Sequence, residues 1–319
     1  MPAIRRTKDK DRGMRISTAQ MQSQAVRSMM DRQTELSYTQ QQVATGKRIL
    51  SPSDDVIGST QVIALQQNID TSTQYQENAD MAESRLRSEE NALTQTINVL
   101  QRSRELAIQG NNGSLSAANR TALASEIRQN LAEVLALANT TDGNGEYVFA
   151  GYNVGTAPFT EVENPAGSGL YDFNYSGDNG QRNLQIGAAR QIPVGDPGSD
   201  VFVNIPEGGG GTRNVFETLE QLALSLESNS PNMAAVGDLQ SALNHLDNFR
   251  AKVGARQNAI DSHRDFNEDI KLEAQKRLSE VQDLDYAEAI SRLNLQLAGL
   301  EASQKSFARI QNLSLFNFL

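Results

Sequence analysis

Hydrophobic positions recur every seven residues at both ends of the chain, a pattern that predicts two helices of matching length. Near the N-terminus Met29, Leu36 and Val43 form one column, with Ala19, Val26, Gln33 and Gln40 in the other. Near the C-terminus Ile290, Leu297 and Gln304 form one column and Leu293, Leu300 and Phe307 the second. As helices, residues 16–44 and 287–312 would measure about 43 Å and about 39 Å at roughly 1.5 Å per residue, so they are expected to pair. Glutamine at three seam positions leaves such a pair few large apolar groups. Two readings follow: a weak intramolecular coiled coil, or segments largely disordered in the monomer that order only against neighbouring copies. The closing Leu313, Leu315, Phe316, Phe318 and Leu319 add an apolar tail that calls for a partner.

Between the seams the pattern changes twice. Gly46 followed by Lys47 and Arg48 reads as the left-handed end of the first helix. Ser53, with Asp54 and Asp55 after it, reads as the cap of a helix over residues 56–108, in which Leu86, Leu93, Leu100 and Ala107 lie seven apart with Ile97 beside them. A turn at 110–113 leads to a helix over 116–138 with the stripe Leu123, Ile127, Leu131, Val134 and Ala138. Residues 140–212 then hold 15 of the 23 glycines and no lysine, and short runs at 146–150, 171–175, 184–186 and 201–205 read as strands. Helix returns at Asn214 with Glu217 at capping spacing, again after Ser230-Pro231 with Leu239, Leu246, Val253, Ile260 and Val281 in one column, and finally at Asp285 and Glu288. The expected class is mainly α with a β-rich insertion (α+β): an elongated antiparallel helical bundle or coiled coil made by the two ends, with a small β domain in the middle of the chain. The expected division is a basic segment at 1–13, terminal helices at 14–50 and 285–319, a long-helix bundle at 51–139 and 213–284, and a β-rich outer domain at 140–212.

Composition narrows the function. A net charge of −10 without an extended basic patch argues against nucleic acid as a partner. The absence of cysteine excludes disulfides and thiolate metal sites, and no run of about 18 apolar residues offers a membrane span. No secretory leader is visible, so a route out of the cell would need no cleaved signal peptide. Met1 to Arg12 carries five Lys or Arg and reads as an upstream extension rather than a targeting arm. His245 and His263 lie 18 residues apart on one predicted helix, roughly 27 Å, too far to share a metal. Asp142 to Glu146 reads as a tight turn rather than a calcium loop, and Gly46-Lys47 lacks the rest of a phosphate loop. No catalytic, cofactor-binding or metal residues are assigned, and the expectation is a non-enzymatic protein built for assembly. Tyr147, Phe149, Tyr171, Phe173 and Tyr175 are the only aromatic platform a carbohydrate-binding reading has to offer, and their alternation favours core.

Several separated motifs resemble the flagellin superfamily and, within it, the branch that joins hook to filament: MRISTAQM at 14–21, TGKRILSPSDD at 45–55, YSGDNGQRNLQIG at 175–187, DLDYAEAISRL at 283–293 and LSLFNFL at 313–319. Val56 stands where that family often has proline. The resemblance implies Met14 as the natural start and a structural component of the bacterial flagellum, extracellular at the hook–filament junction. It further implies export unfolded through the flagellar type III channel, axial neighbours in the first hook-associated protein and flagellin, self-association in a ring, and a cytoplasmic export chaperone on the C-terminal segment including Leu313, Leu315, Phe316, Phe318 and Leu319. Val26, Met29, Leu36, Val43, Ile290, Leu293, Leu297, Leu300 and Phe307 would be the assembly positions. The alternative within the superfamily is the filament subunit itself.

Overall fold

The computed structural model describes residues 18–165, 169–206 and 211–316. The basic segment 1–13 and the tail side chains of Leu313, Leu315, Phe316, Phe318 and Leu319 lie outside what is described. Six helices are present among the described residues: α1 (Thr18–Thr45), α2 (Val56–Gly110), α3 (Ala117–Ala138), α4 (Val215–Glu227), α5 (Ala234–Gln282) and α6 (Tyr286–Phe316). Strands β1 to β6 all fall between α3 and α4.

Helix starts follow the side chains available to accept free amides. Ser116 accepts from Asn119 at the head of α3, and Asn214 from Phe216 at the head of α4. The cap of α2 is Asp55 rather than Ser53: its Oδ1 accepts from Gly58 N–H at 2.8 Å, while Asp54 turns back to accept from Leu50 and Ser51 at 3.0 and 2.7 Å. α5 begins at Ala234, capped by Asn232, not directly after Ser230-Pro231. The reason lies in the end of α4, where left-handed Asn229 (φ 54°) and a Ser230 N–H bond to Ser225 O close the preceding helix and use up those residues.

The chain divides into two compact units, Met1–Gln67 with Ala274–Leu319, and Asn68–Glu273. In the second, α2 presents an unbroken alternation of three- and four-residue steps. Ala79, Leu86, Leu93, Leu100 and Ala107 make one buried column; Ala82, Glu89, Thr96 and Ser103 make the other. Thr96 and Ser103 satisfy their hydroxyls on the Ala92 and Val99 carbonyls. α5 buries Leu239, Leu246, Val253, Ile260 and Asn267 at the same spacing. It is tied to α2 by Arg264 on Glu83 and Asp80 and by Gln257 on Glu90. Arg120, buried on α3, gathers the Gly110 and Asn112 carbonyls and Asn229, locking the α2–α3 turn to the end of α4.

The β-rich segment joins this same apolar cluster rather than closing a separate one. β1 (Phe159–Glu163) pairs antiparallel with β2 (Tyr171–Tyr175), Phe159 opposite Tyr175; β3 (Asn183–Gly187) pairs with β4 (Arg190–Pro193), and β5 (Ile205–Pro206) with β6 (Thr212–Arg213). Phe159 contacts Phe202 and Phe216 edge-on or tilted at 5.5 and 5.0 Å, and Phe149 and Phe173 are buried with them; Tyr147, Tyr171 and Tyr175 are half-buried at the edge of this core. Tyr175 sends its hydroxyl inward, donating to the Phe149 and Asp178 carbonyls. Of two expected strands only the ends are extended, Tyr147 bridging Thr141 and Ile205 opening β5, and the remainder fails for one reason. Val148, Phe149 and Ala150 are consecutive and all buried, as are Val201 and Phe202, whereas a strand points neighbours to opposite faces. The chain answers with irregular backbone at 146–150 and a π-helical turn at Ser199–Val203.

The segment 175–187 ties this region together. Asp178 accepts from Tyr152 and Gly180 amides, Arg182 pairs with Glu146, and Gln181 bonds Asp196. Gly151 sits against it at φ 70°, where a Cβ would lie 2.4 Å from the Asp178 carbonyl oxygen. Gly151→Ala is therefore expected to destabilise the second unit by about 2–4 kcal/mol through left-handed strain and a backbone collision, measured as a lower urea midpoint at unchanged slope.

Candidate assembly surface

In the first unit α1 and α6 run antiparallel, with Arg32 against Gly299, Gln42 against Arg292 and Gly46 against Tyr286. Their seam is helical with a seven-residue period, but on each helix one of the two expected columns is displaced by one residue, while Met29-Leu36-Val43 and Leu293-Leu300-Phe307 keep their place. On α1 the second column is Ala25, Arg32, Thr39 and Gly46, with Thr39 buried and Gln33 and Gln40 exposed. On α6 it is Ala289, Gln296 and Ser303, with Ala289 fully buried. Ile290 and Leu297, expected inside, are 47% and 39% exposed. Val26, Met29, Val43, Leu293, Leu300 and Phe307 are half-buried, and Leu36 is buried.

The displacement has a polar cause. Gln42, buried, donates to the Arg48 carbonyl at 2.7 Å and accepts from Arg292 at 3.2 Å. Arg48 N–H donates to Gln282 O and Leu284 N–H to Gly46 O, joining the turn after α1 to the turn before α6. The Arg48 guanidinium reaches Asp55 at 3.1 Å and the Val281 carbonyl at 2.9 Å. Gly46 ends α1 at φ 70°, and a Cβ there would meet the Tyr286 hydroxyl at 2.8 Å. Once these bonds are made, the rotation of each helix about its axis is set, and small or polar residues face the partner.

Several large apolar side chains consequently face out, while Leu36 and the half-buried Met29, Val43, Leu293 and Leu300 stay on the seam side. Met30 is 62% exposed and Leu295 73%, and Tyr286, Val56, Ile57 and Ile63 of the same unit are exposed as well. Gln296 Oε1 and Ser59 Oγ are buried without a hydrogen-bond partner among the described residues, so the interior of this unit is not an efficient core. Among the described residues no helix is long and apolar enough to cross a membrane. The histidines are separate: His245 meets the Asp200 carbonyl at 2.7 Å beside Phe249, and His263 lines a groove of about 530 Å³ with Tyr75, Ala188 and Phe266 in the second unit.

This arrangement agrees with what the chain is similar to. The bacterial flagellin N-terminal helical region matches residues 16–154 and the C-terminal helical region residues 236–319. Flagellar hook-associated protein 3 of Escherichia coli (strain K12) is 32% identical across 95% of this chain and 99% of its own length, and that of Salmonella typhimurium is 30% identical over the same shares. The chain belongs to the flagellar hook-associated protein 3 family.

Family membership gives a setting to the hydrogen-bonded clasp centred on Gln42 and Arg48. Its two halves, 42–55 and 281–292, lie one in each of the two flagellin helical regions. FlgL of Xanthomonas campestris shares the fold at a TM-score of 0.57 and 23% identity, covering 67% of this chain and 99% of that one. Flagellar hook-associated protein 3 of Legionella pneumophila does so at 0.61 and 21%, covering 69% and 99%. A flagellin from Salmonella berta is 27% identical over 72% of this chain but only 37% of that flagellin.

Gln42, Arg48, Arg292 and Tyr286 carry the geometry, and the heptad pattern did not single them out. The available signal was the charge pattern, since Arg48 precedes Asp55 by seven residues across a turn rich in small polar groups. Asp54 is held below the ordinary aspartate value of 3.8 by the Ser51 N–H and then the Tyr38 hydroxyl; Asp55 is held below it by the Gly58 N–H and then Arg48. Both groups favour the folded clasp above the ordinary aspartate range, and that contribution is lost as pH falls through their lowered folded-state values. Carboxyl-detected NMR titration is expected to show both below 3.8, with Arg48→Ala moving Asp55 back toward that value and leaving Asp54 in place.

Proposed function

We propose that this chain is a structural protein of the bacterial flagellum that forms the junction between hook and filament. The observation that carries the reading is the displaced seam column of the first unit: Thr39, Gly46 and Ala289 face the partner helix while Met30, Ile290, Leu295 and Leu297 face out. A helix pair of that kind is incomplete in a single copy and gains its apolar contacts from neighbours. On this reading residues 14–50 and 285–319 are the assembly core, largely disordered before assembly, whereas the bundle at 51–139 and 213–284 and the β-rich outer domain at 140–212 fold first. Ordering a terminal segment costs about 1–2 kcal/mol per residue in backbone entropy, so only many simultaneous contacts between subunits offset it.

The wider reading follows from family membership. The chain is exported without a cleaved signal peptide and lies outside the cell as a ring, with the first hook-associated protein and flagellin as axial neighbours. A cytoplasmic export chaperone covers the apolar tail of Leu313, Leu315, Phe316, Phe318 and Leu319 beforehand. The protein has no catalytic role in this scheme. A filament subunit is the second reading, and the 37% share of the Salmonella berta flagellin that this chain matches weighs against it.

The test uses residues that the monomer leaves exposed. In a strain lacking the wild-type gene, the double variant Ile290→Asp, Leu297→Asp should fold with unchanged helical content and be secreted. It should accumulate in the medium rather than in sheared flagella, with swimming reduced to that of the deletion strain. Normal incorporation of the double variant would sink the proposal, and recovery of the wild-type chain along the length of filaments would favour the filament subunit.

A further inference from the structure

The second buried column of α2 contains one residue that its neighbours do not satisfy. Thr96 and Ser103 bond backbone carbonyls one turn back, and Ser103 also accepts from Asn130. Glu89, in the same column, is fully buried and has no such option. Its Oε1 accepts from the Asp196 backbone N–H at 3.1 Å, and its Oε2 has no hydrogen-bond partner among the described residues. The cation nearby is committed elsewhere: the Arg256 guanidinium of α5 forks onto both oxygens of the Asp196 side chain at 2.9 and 2.8 Å, and Gln181 adds a third bond at 2.7 Å. One turn earlier on α2, Arg85 is held by Asp142 and Glu146. The adjacent Glu90 is bonded to Gln257 of α5. Two buried carboxyl groups thus share one guanidinium, and Asp196 has it.

We propose that Glu89 is a proton-binding site in the core of the second unit: folding takes up one proton from solvent onto its carboxyl group, and the fold is pH-responsive through that proton. An ionised carboxylate with a single amide partner would cost several kcal/mol to bury, whereas the neutral acid turns its repulsion with Asp196 into a hydrogen bond. Burial, then the Asp196 charge, push Glu89 well above the ordinary glutamate value of 4.5, with Arg256 acting in the opposite direction. In the unfolded chain the same group is ionised at neutral pH. Because its folded-state value is raised, the stabilisation from the bound proton is complete below 4.5 and is lost as pH rises toward the folded-state value. In that interval the folding equilibrium constant falls about tenfold per pH unit for one proton taken up.

Glu217 and Glu220 are also raised, chiefly by burial, so the comparison must be between wild type and a variant at Glu89. Urea unfolding of the full chain from about pH 5.5 to about pH 8 is expected to show Glu89→Gln losing less stability than wild type, the difference approaching tenfold in the equilibrium constant per pH unit. Infrared spectra of the folded wild type at the acid end of that range should contain the carbonyl stretch of a neutral carboxylic acid that Glu89→Gln removes. Equal pH slopes in the two proteins would overturn the proposal. Should Glu89→Gln not fold, the double variant Glu217→Gln, Glu220→Gln decides: a neutral-acid band that survives in it supports the proposal, and loss of the band overturns it.

Discussion

The second unit depends on continuous coverage of one stripe of α2. A helix of 55 residues in water keeps its length through packing rather than propensity, and here the packing is a two-column seam with alternating steps of three and four. One column supplies Leu86, Leu93 and Leu100, each worth about 1.5–3 kcal/mol of burial. The other is small or polar throughout, with Ala82, Glu89, Thr96 and Ser103. α3, α4 and α5 then fit around that stripe, and the β-rich segment extends the same cluster through Phe149, Phe159, Phe202 and Phe216.

The first unit rests on different physics. Among the described residues its buried apolar side chains are Leu36, Ile49, Leu284, Ala274 and Ala289, a thin set for two long helices. Directional bonds take over: Gln42 to Arg48, Arg48 to Gln282 and Val281, and Leu284 to Gly46. The Arg48–Asp55 ion pair is open to solvent and screened by it, so the clasp fixes geometry more than it supplies stability. A pair held in register by polar bonds leaves its apolar groups available for another use, and the exposed face of α6 is where they are.

Much of this was legible in the chain. The helices, the left-handed end at Gly46, the capping by Asn214 and Asp285, and the buried stripe from Ile127 to Ala138 follow from spacing and side-chain chemistry. The displaced column of the terminal helices was not, because a seven-residue period is equally satisfied by Ala289-Gln296-Ser303 and by Ile290-Leu297-Gln304. Hydrophobicity favours the second set, and the clasp selects the first. β1 and β4 were missed because Phe-Thr-Glu-Val-Glu and Arg-Gln-Ile-Pro carry little apolar signal of their own and are defined by their partners. The runs at 146–150 and 201–205 look extended by composition, yet their consecutive buried residues rule alternation out.

The clasp also imposes an order in time. Two of its bonds join residues separated by 233 and 250 positions, with Arg48 on Val281 and Arg292 on Gln42. The bonds from Gln42 to Arg48 and from Arg48 to Asp55 are local, but the long-range ones cannot close before residues 281–292 are available. The rotation of α1, and with it the outward face of the terminal pair, is therefore decided by the final segment to become available. Until then the first helix has no fixed inside and outside.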